Sequence, residues 1–233
     1  MKLLKNGTKN GLMRIYDNND IKSRYIAKKG SLAYSFLGNL ADNVCWNALE
    51  HSDDKVYLIT SASLQEGKTT TAVNLALHIA KRRRKVLLID ANLRNPTIGE
   101  VFDIKNESGL IQVICNGIPS TDVVYNVKGY GLHIIPAGKI EREPFEVLTS
   151  PKLKDLLHIA KKFYDFVIVD CTAVNFYADP LLLCPLVDQI ILSVMADKTE
   201  KSDIHIAKAK ILNADGSFLG VILNKSNIFL SSV

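Results

Sequence analysis

The sequence predicts an α/β fold in which a doubly wound, mostly parallel sheet carries helices on both faces. Short apolar and β-branched runs recur along the chain, and most alternate with stretches whose apolar residues have helical spacing. Most of these runs are apolar on both faces, which is typical of parallel strands covered by helices on both sides.

Six strands are predicted in chain order, each from a run of apolar residues: "VYLIT" at 56–60, "KVLLID" at 85–90, "LHIIP" at 132–136, "FVIVD" at 166–170, "QIILSV" at 189–194 and "FLGVILN" at 218–224. Helical spacing predicts helices over 69–84, 151–163 and 199–213. The first of these ends in a basic run, 81–85, whose cations complement the helix dipole. Trp46 is expected to pack an N-terminal helix on the sheet.

The chain is expected to fold as one domain, 31–233, after a basic N-terminal extension, 1–30. Its 233 residues are 47% apolar, which is enough for one sizeable core and little for two. The extension has eight Lys and Arg residues against Asp17 and Asp20, and the net charge of the chain is +5. Such a segment either lies on anionic lipid or an acidic partner, or is a solvated terminus.

Several functional classes are excluded by what the sequence lacks. The four cysteines are far apart, which indicates reduced thiols of a cytosolic protein rather than disulfides or a zinc site. The histidines have no ligand spacing, and no secretory signal, bilayer-spanning run or nucleic-acid-binding motif is found. We therefore expect a cytoplasmic protein that does not bind nucleic acid.

The stretch "SASLQEGKTTTAVNLA", residues 61–76, has the end of a phosphate-binding loop. Gly67 supplies a backbone amide, Lys68 a cation for the outer phosphates, and Thr69 a hydroxyl for Mg²⁺. The amphipathic helix that follows points its positive end at the anion. Ala62 replaces the usual first glycine of the loop, and a residue other than glycine is tolerated wherever the backbone needs no positive φ. Gln65 is the loop position at which the lack of a glycine is expected to matter.

Two further polar clusters follow predicted strands. "VLLIDANLRNP" brings Asp90, Asn92 and Arg94 to a strand end, and "FVIVDCTA" brings Asp170 to another. Ligands of doubly wound folds bind beyond the carboxyl ends of the strands. These clusters are therefore expected to meet the phosphate loop and close over a magnesium-bound triphosphate.

The order of these blocks, continued by "GLHIIPAGKIEREP", "YDFVIVD" and "LGVILNK", resembles the cytoplasmic bacterial tyrosine kinases of capsule and exopolysaccharide systems, the CpsD/CapB type. The resemblance covers about 31–227 and implies the fold of the MinD/ParA-like P-loop group. It also implies an ATP-dependent protein tyrosine kinase that uses Mg²⁺ and phosphorylates protein tyrosines. The implied activator is the cytoplasmic tail of a membrane chain-length regulator, which would hold the protein at the inner face of the membrane.

Site residues follow from the resemblance position by position. It places Lys68, Asp90, Asn92 and Arg94 among the catalytic residues, with Thr69, Asp90 and Asp170 on Mg²⁺. The residues implied in nucleotide binding are Ser63, Gln65, Glu66, Gly67, Lys68, Thr69, Thr70 and Asn224. Of these, Thr70 is expected at the α-phosphate and Asn224 at the adenine.

The chain departs from the family pattern at informative positions. Asn92 replaces an aspartate that helps to activate the attacking hydroxyl, and asparagine cannot take up a proton. Leu32, Ser35 and Gly38 replace the charged residues of the family's ring-forming motif, so the sequence leaves a homo-oligomer open but lacks the motif of the family's ring. The C-terminal tyrosine cluster is absent, since the last tyrosine is Tyr177.

Three functions remain open from the sequence. The main hypothesis is the tyrosine kinase that regulates polysaccharide biosynthesis and export. A catalytically weak nucleotide-binding scaffold of the same system is favoured by Asn92 and the absent tyrosines. A MinD/ParA-like ATPase ranks last, because Ser63 stands where those proteins carry a signature lysine.

Overall fold

A computed structural model of the chain describes residues 14–16, 26–29, 31–50 and 54–224. The strands are β1 (Arg14–Tyr16), β2 (Val56–Ser61), β3 (Val86–Asp90), β4 (Tyr125–Val127), β5 (Leu132–Ile135), β6 (Phe166–Ala173), β7 (Gln189–Met195) and β8 (Phe218–Asn224). The α-helices are α1 (Leu32–Glu50), α2 (Lys68–Lys81), α3 (Ile98–Val101), α4 (Leu110–Asn116), α5 (Pro144–Leu148), α6 (Pro151–Phe163), α7 (Asp179–Leu183) and α8 (Lys201–Asn213).

The described strands form one eight-stranded sheet in the order β1-β4-β5-β3-β6-β2-β7-β8. Its neighbours are parallel except β4 and β5, which form an antiparallel pair at one side. The doubly wound, mostly parallel sheet and its six predicted strands are thus confirmed. The sequence did not predict β1 and β4, because three residues are too few to show a period.

Helices cover both faces of the sheet, and alternate strand residues feed two apolar cores. In β2, Val56 and Leu58 pack in the core under α4 to α8, whereas Tyr57 and Ile59 pack in the core under α1 to α3. All six residues of β2 and all eight of β6 are buried. Central strands that are covered on both faces explain the near-continuous apolar runs of the sequence.

The contact between α1 and α2 is fixed by Arg82, the first residue after α2. Its guanidinium donates to Asp42 Oδ1 at 2.6 Å, to the Gly38 carbonyl at 2.9 Å and to the His78 carbonyl at 2.7 Å. Within the basic run, Arg82 therefore has the structural role that was predicted for a cation at a helix end. The helix ends before 84 because Arg83 takes a left-handed φ of 61°.

The remaining N-terminal predictions have mixed outcomes. The packing role of Trp46 was wrong: its side chain is 65% exposed, and α1 enters the core through Ala41 and Val44. Most of the basic extension, 1–30, lies outside the described residues, although Arg14–Tyr16 pairs with β4.

Among the residues that the structure describes, no helix has the length and apolar composition needed to span a bilayer.

Candidate nucleotide-binding site

The loop between β2 and α2 turns through two residues with left-handed backbones. Gly67 has a φ of 82°, and a Cβ there would come within 2.0 Å of Asn224 Nδ2, so both the backbone and the neighbouring side chain favour glycine. Gln65 has a φ of 62° without being glycine. The doubt about Gln65 is confirmed, since this conformation costs a residue with a side chain about 1–2 kcal/mol.

Glu66 anchors the loop to the neighbouring strand ends. Its side chain is buried and accepts hydrogen bonds from the Ser63 amide at 2.7 Å and from the Thr199 hydroxyl. Its carbonyl accepts from Ser193 Oγ at 2.9 Å and from Asn224 Nδ2 at 3.1 Å. These bonds tie the loop to the carboxyl ends of β7 and β8.

This hydrogen-bond network shows contacts around the loop that could not be predicted from the sequence. Thr199 and Ser193 were not predicted at the site, because isolated hydroxyl residues carry no motif. The carboxylate of Glu66 points to the loop backbone and Thr199, and the amide of Asn224 lies against the loop backbone. The contact of Asn224 with adenine remains a prediction.

Thr69 and Asp170 form the inner wall of the site. Thr69 Oγ1 donates to Asp170 Oδ2 at 2.6 Å, while Asp170 Oδ1 is buried without a hydrogen-bond partner. Burial raises the pKa of Asp170, and the Lys68 ammonium and the Thr69 hydrogen bond oppose that rise. A buried carboxylate oxygen without a partner beside a lysine and a hydroxyl fits a site completed by Mg²⁺ and phosphate.

Asp90 lies beside Asp170 because β3 and β6 pair these two residues in register. Its Oδ1 accepts from the Asn92 amide at 3.1 Å, and its Oδ2 accepts from the amides of Thr97 and Ile98 at 3.1 and 3.0 Å. Burial and the charge of Asp170 raise the pKa of Asp90, and the three amides oppose this rise. A bound cation would relieve the repulsion between the two carboxylates.

Asn92 and Arg94 extend the site outward from β3. Asn92 is buried, and its Oδ1 accepts from the Asn95 amide at 3.3 Å. Arg94 forms a bidentate ion pair with the buried Asp179, with Nε and Nη2 at 2.7 and 2.9 Å from its oxygens. The Arg94 guanidinium also lies over the Tyr177 ring, 4.6 Å from its centroid.

These groups surround a cleft of about 520 Å³, a size typical of small-molecule sites. Its lining includes seven predicted site residues, Gln65, Gly67, Lys68, Thr69, Thr70, Asn92 and Arg94, and the additional residues Leu64, Asn95, Thr97, Thr172, Ala173 and Tyr177. Ser63, Glu66 and Asn224 do not line the cleft. Asp90 and Asp170 are fully buried and support it from within the sheet. Within the described chain, His, Cys, Asp and Glu side chains nowhere gather in threes that could hold a metal.

A phosphate-binding loop placed in this way, at the carboxyl edge of a parallel sheet, defines the class of the protein as a P-loop nucleotide-binding protein. The family model described as an AAA domain matches residues 65–197. The putative tyrosine-protein kinase CapB of Staphylococcus aureus is 30% identical over 86% of this chain and 87% of its own. Tyrosine-protein kinase YwqD of Bacillus subtilis is 36% identical over 73% of this chain and 72% of its own. The chain belongs to this AAA-domain family, and within it to the bacterial tyrosine-protein kinases.

Solved structures agree with this assignment. The kinase domain of the Escherichia coli tyrosine kinase ETK is 26% identical and superposes with a TM-score of 0.80, covering 86% of this chain and 78% of its own. The VpsO kinase domain is 31% identical with a TM-score of 0.75, over 84% of this chain and 97% of its own. The septum site-determining protein MinD of Pyrococcus horikoshii, complexed with Mg-ADP, shares the fold at a TM-score of 0.62 and 23% identity, over 75% of this chain and 72% of its own.

Proposed function

We propose that this chain binds Mg-ATP in the cleft and transfers the γ-phosphoryl group to protein tyrosines, as a regulator of capsular or exopolysaccharide biosynthesis and export. The observation that carries the proposal is the buried Asp170 oxygen without a hydrogen-bond partner, beside Thr69 and Lys68. Capsule-region proteins among the similar kinases support the polysaccharide context, for instance a putative tyrosine-protein kinase in the cps region of Klebsiella pneumoniae.

The residues of the cleft would have different roles in phosphoryl transfer. Lys68 and the amides around Gly67 would bind the outer phosphates, and Thr69, Asp90 and Asp170 would hold Mg²⁺. Mg²⁺ supplies charge neutralisation at the phosphates when it is bound. Arg94, held by Asp179, presents a second cation at the outer wall. Because the transition state of phosphoryl transfer is loose, positioning and charge matter more than a base.

Membership of the same family also supports a proposal about the partner and the location. We propose that the cytoplasmic tail of a membrane chain-length regulator binds the chain and recruits it to the inner face of the membrane. The chimerical protein CapA2B2 shares this fold at 24% identity and a TM-score of 0.81, over 92% of this chain and 93% of its own. Substrates are then protein tyrosines, and nucleic acid is not a partner.

Lys68→Met tests the nucleotide site. Calorimetry should detect Mg-ATP binding to the unmodified chain, and the variant should lose at least tenfold in affinity because the phosphates lose their cation. The exposed Lys152 on α6 offers a matched control, and Lys152→Met should bind as the unmodified chain does. Equal affinity of both variants would contradict the assignment of the loop.

A nucleotide-binding scaffold is the second candidate, and Asn92 is the observation that favours it. Its side chain is buried at the cleft, where a carboxylate could take up the proton of the attacking hydroxyl. Incubation with labelled ATP, with and without the partner tail, separates the two functions: phosphotyrosine that vanishes in Asp90→Ala indicates a kinase, and binding without transfer indicates a scaffold. Asn92→Asp should raise the transfer rate of a kinase by about tenfold or more.

A further inference from the structure

Tyr177 lines the same cleft as Lys68 and Thr69. Of the other tyrosines whose side chains the structure describes, three are buried in the cores, Tyr57, Tyr125 and Tyr164, and Tyr130 lies in the turn between β4 and β5. Within this described set, Tyr177 is therefore the tyrosine that lines the proposed nucleotide cleft.

Two contacts fix Tyr177 at the wall of the cleft. It lies in the turn after β6, where its amide donates to the Ala173 carbonyl at 3.0 Å, seven residues beyond Asp170 along the chain. Its ring lies against the Arg94 guanidinium at 4.6 Å, and Arg94 is itself fixed by the bidentate bond to Asp179. A half-buried ring held by a fixed cation has lost part of its freedom before any nucleotide binds.

We propose that Tyr177 is an intramolecular phosphate acceptor of this chain, an inference that rests on the proposed kinase function. The Tyr177 Oη forms a bond to the γ-phosphorus of ATP, and the bond from that phosphorus to the β,γ-bridging oxygen breaks. ADP leaves with the electron pair of that bond, and the phenolic proton passes to water in the open cleft. The lack of a carboxylate at Asn92 does not prevent this step. In a loose transition state the bond to the attacking oxygen is only slightly formed, so the hydroxyl loses its proton late and a base contributes little.

A phosphate on Tyr177 would lie close to Arg94 and would change the charge inside the cleft. A tyrosine phosphate carries a charge of about −1.5 to −2, and such a group forms strong charge-assisted bonds with a nearby guanidinium. It would compete with Asp179 for Arg94 and would leave negative charge beside the phosphate loop. The phosphorylated chain should therefore bind ATP at least fivefold more weakly than the unmodified chain.

The experiment uses the full chain with Mg-ATP and locates phosphate by mass spectrometry of its peptides. Tyr177→Phe keeps the ring over Arg94 but removes the acceptor oxygen, and Tyr130→Phe is the matched control, a half-buried tyrosine that does not line the cleft. Phosphate at 177 is expected in the unmodified chain and in Tyr130→Phe, and no phosphate at 177 in Tyr177→Phe. Transfer within one molecule also requires a rate constant that does not change over a tenfold dilution of the protein.

The outcomes separate this inference from the kinase function. Phosphorylation of a synthetic tyrosine polymer while Tyr177 stays unmodified would overturn the inference alone. A transfer rate at 177 that falls with dilution would also overturn it, since the acceptor would then belong to another molecule. ATP binding with no transfer to Tyr177 or to the polymer would overturn the kinase function as well. Calorimetry on the isolated phosphorylated chain supplies a readout beyond activity, and unchanged ATP affinity would contradict the position of the phosphate beside Arg94.

Discussion

Gln65 and Gly67 both take a left-handed backbone, with φ values of 62° and 82°, but only one of them is a glycine. At Gly67 a Cβ would strain the backbone and would also displace the Asn224 amide from its hydrogen bond to the Glu66 carbonyl. Gln65 lines the open cleft, so its side chain has room and the cost is confined to the backbone. The residue scale thus shows a loop that keeps its favoured glycine and tolerates a strained replacement two positions earlier.

Replacing Gln65 with glycine should stabilise the fold. The change removes a left-handed cost of about 1–2 kcal/mol and adds about 0.5–1 kcal/mol of backbone entropy, which leaves a net gain of about 0.5–1 kcal/mol in the free energy of unfolding. Urea denaturation measures this gain. Leu64→Gly is the control, because position 64 is outside the left-handed region and glycine there should only destabilise. A loss of stability in Gln65→Gly would refute the assigned backbone conformation.

At the scale of elements, the phosphate loop is held by the junction between β7 and α8. Glu66 accepts the Thr199 hydroxyl, and Thr199 Oγ1 accepts the Met195 amide at 2.9 Å. This bond explains why α8 begins at Lys201 rather than at the predicted 199, since Thr199 belongs to the anchor. The loop therefore depends on a segment about 130 residues further along the chain.

Thr199→Val should weaken nucleotide binding without changing the size of the side chain. The variant removes one hydrogen-bond donor from the buried Glu66 carboxylate. This loss costs about 1–1.5 kcal/mol and corresponds to a roughly tenfold higher Kd for ATP. Calorimetry measures the Kd. The exposed Thr121, whose hydroxyl bonds Asp122, provides the control variant Thr121→Val. An unchanged Kd in Thr199→Val would show that the anchor does not position the loop.

The α1–α2 contact makes stability depend on pH through His78. Burial, with the nearby Lys81 and Arg82 opposing protonation, lowers the pKa of His78 from its ordinary 6.5 to about 4. Between these values the unfolded chain binds a proton that the folded chain does not, so stability falls as pH falls from about 6.5 to about 4. The contribution of this one group is at most about 1.4 kcal/mol per pH unit.

His78→Gln should remove that part of the acid destabilisation. The free energy of unfolding, measured by urea denaturation at several pH values, should fall less steeply below pH 6.5 in the variant. His158 on α6 is exposed, and His158→Gln should keep the slope of the unmodified chain. Identical slopes for both variants would contradict the burial of His78 against α1.

At the scale of the whole molecule, the sheet brings together groups that lie far apart in the sequence. Asp90 and Asp170 meet because β3 and β6 are neighbours in register, and Thr69 reaches Asp170 from the start of α2. The two buried carboxylates repel each other, which is a cost to the fold that a bound cation and nucleotide would offset. The apparent stability of the chain should therefore be linked to its ligand.

Mg-ATP should raise the free energy of unfolding of the chain by about 2.7 kcal/mol when its free concentration is one hundred times Kd. Thermal unfolding followed by circular dichroism, with and without Mg-ATP, measures the shift. Asp170→Asn should respond less, because the proposed Mg²⁺ ligand is lost, whereas Asp155→Asn on the exposed face of α6 should respond as the unmodified chain does. Equal shifts in all three proteins would refute the role of Asp170.

The sequence by itself determined the fold class, the phosphate loop and the aspartates at the strand ends, because buried parallel strands and a phosphate cradle each leave a local pattern of residue types. Only the tertiary structure decided the contacts of Glu66 with Thr199, of Arg94 with Asp179 and of Tyr177 with the cleft. Single polar residues on loops carry no periodicity, so their partners depend on which strand ends the sheet places side by side.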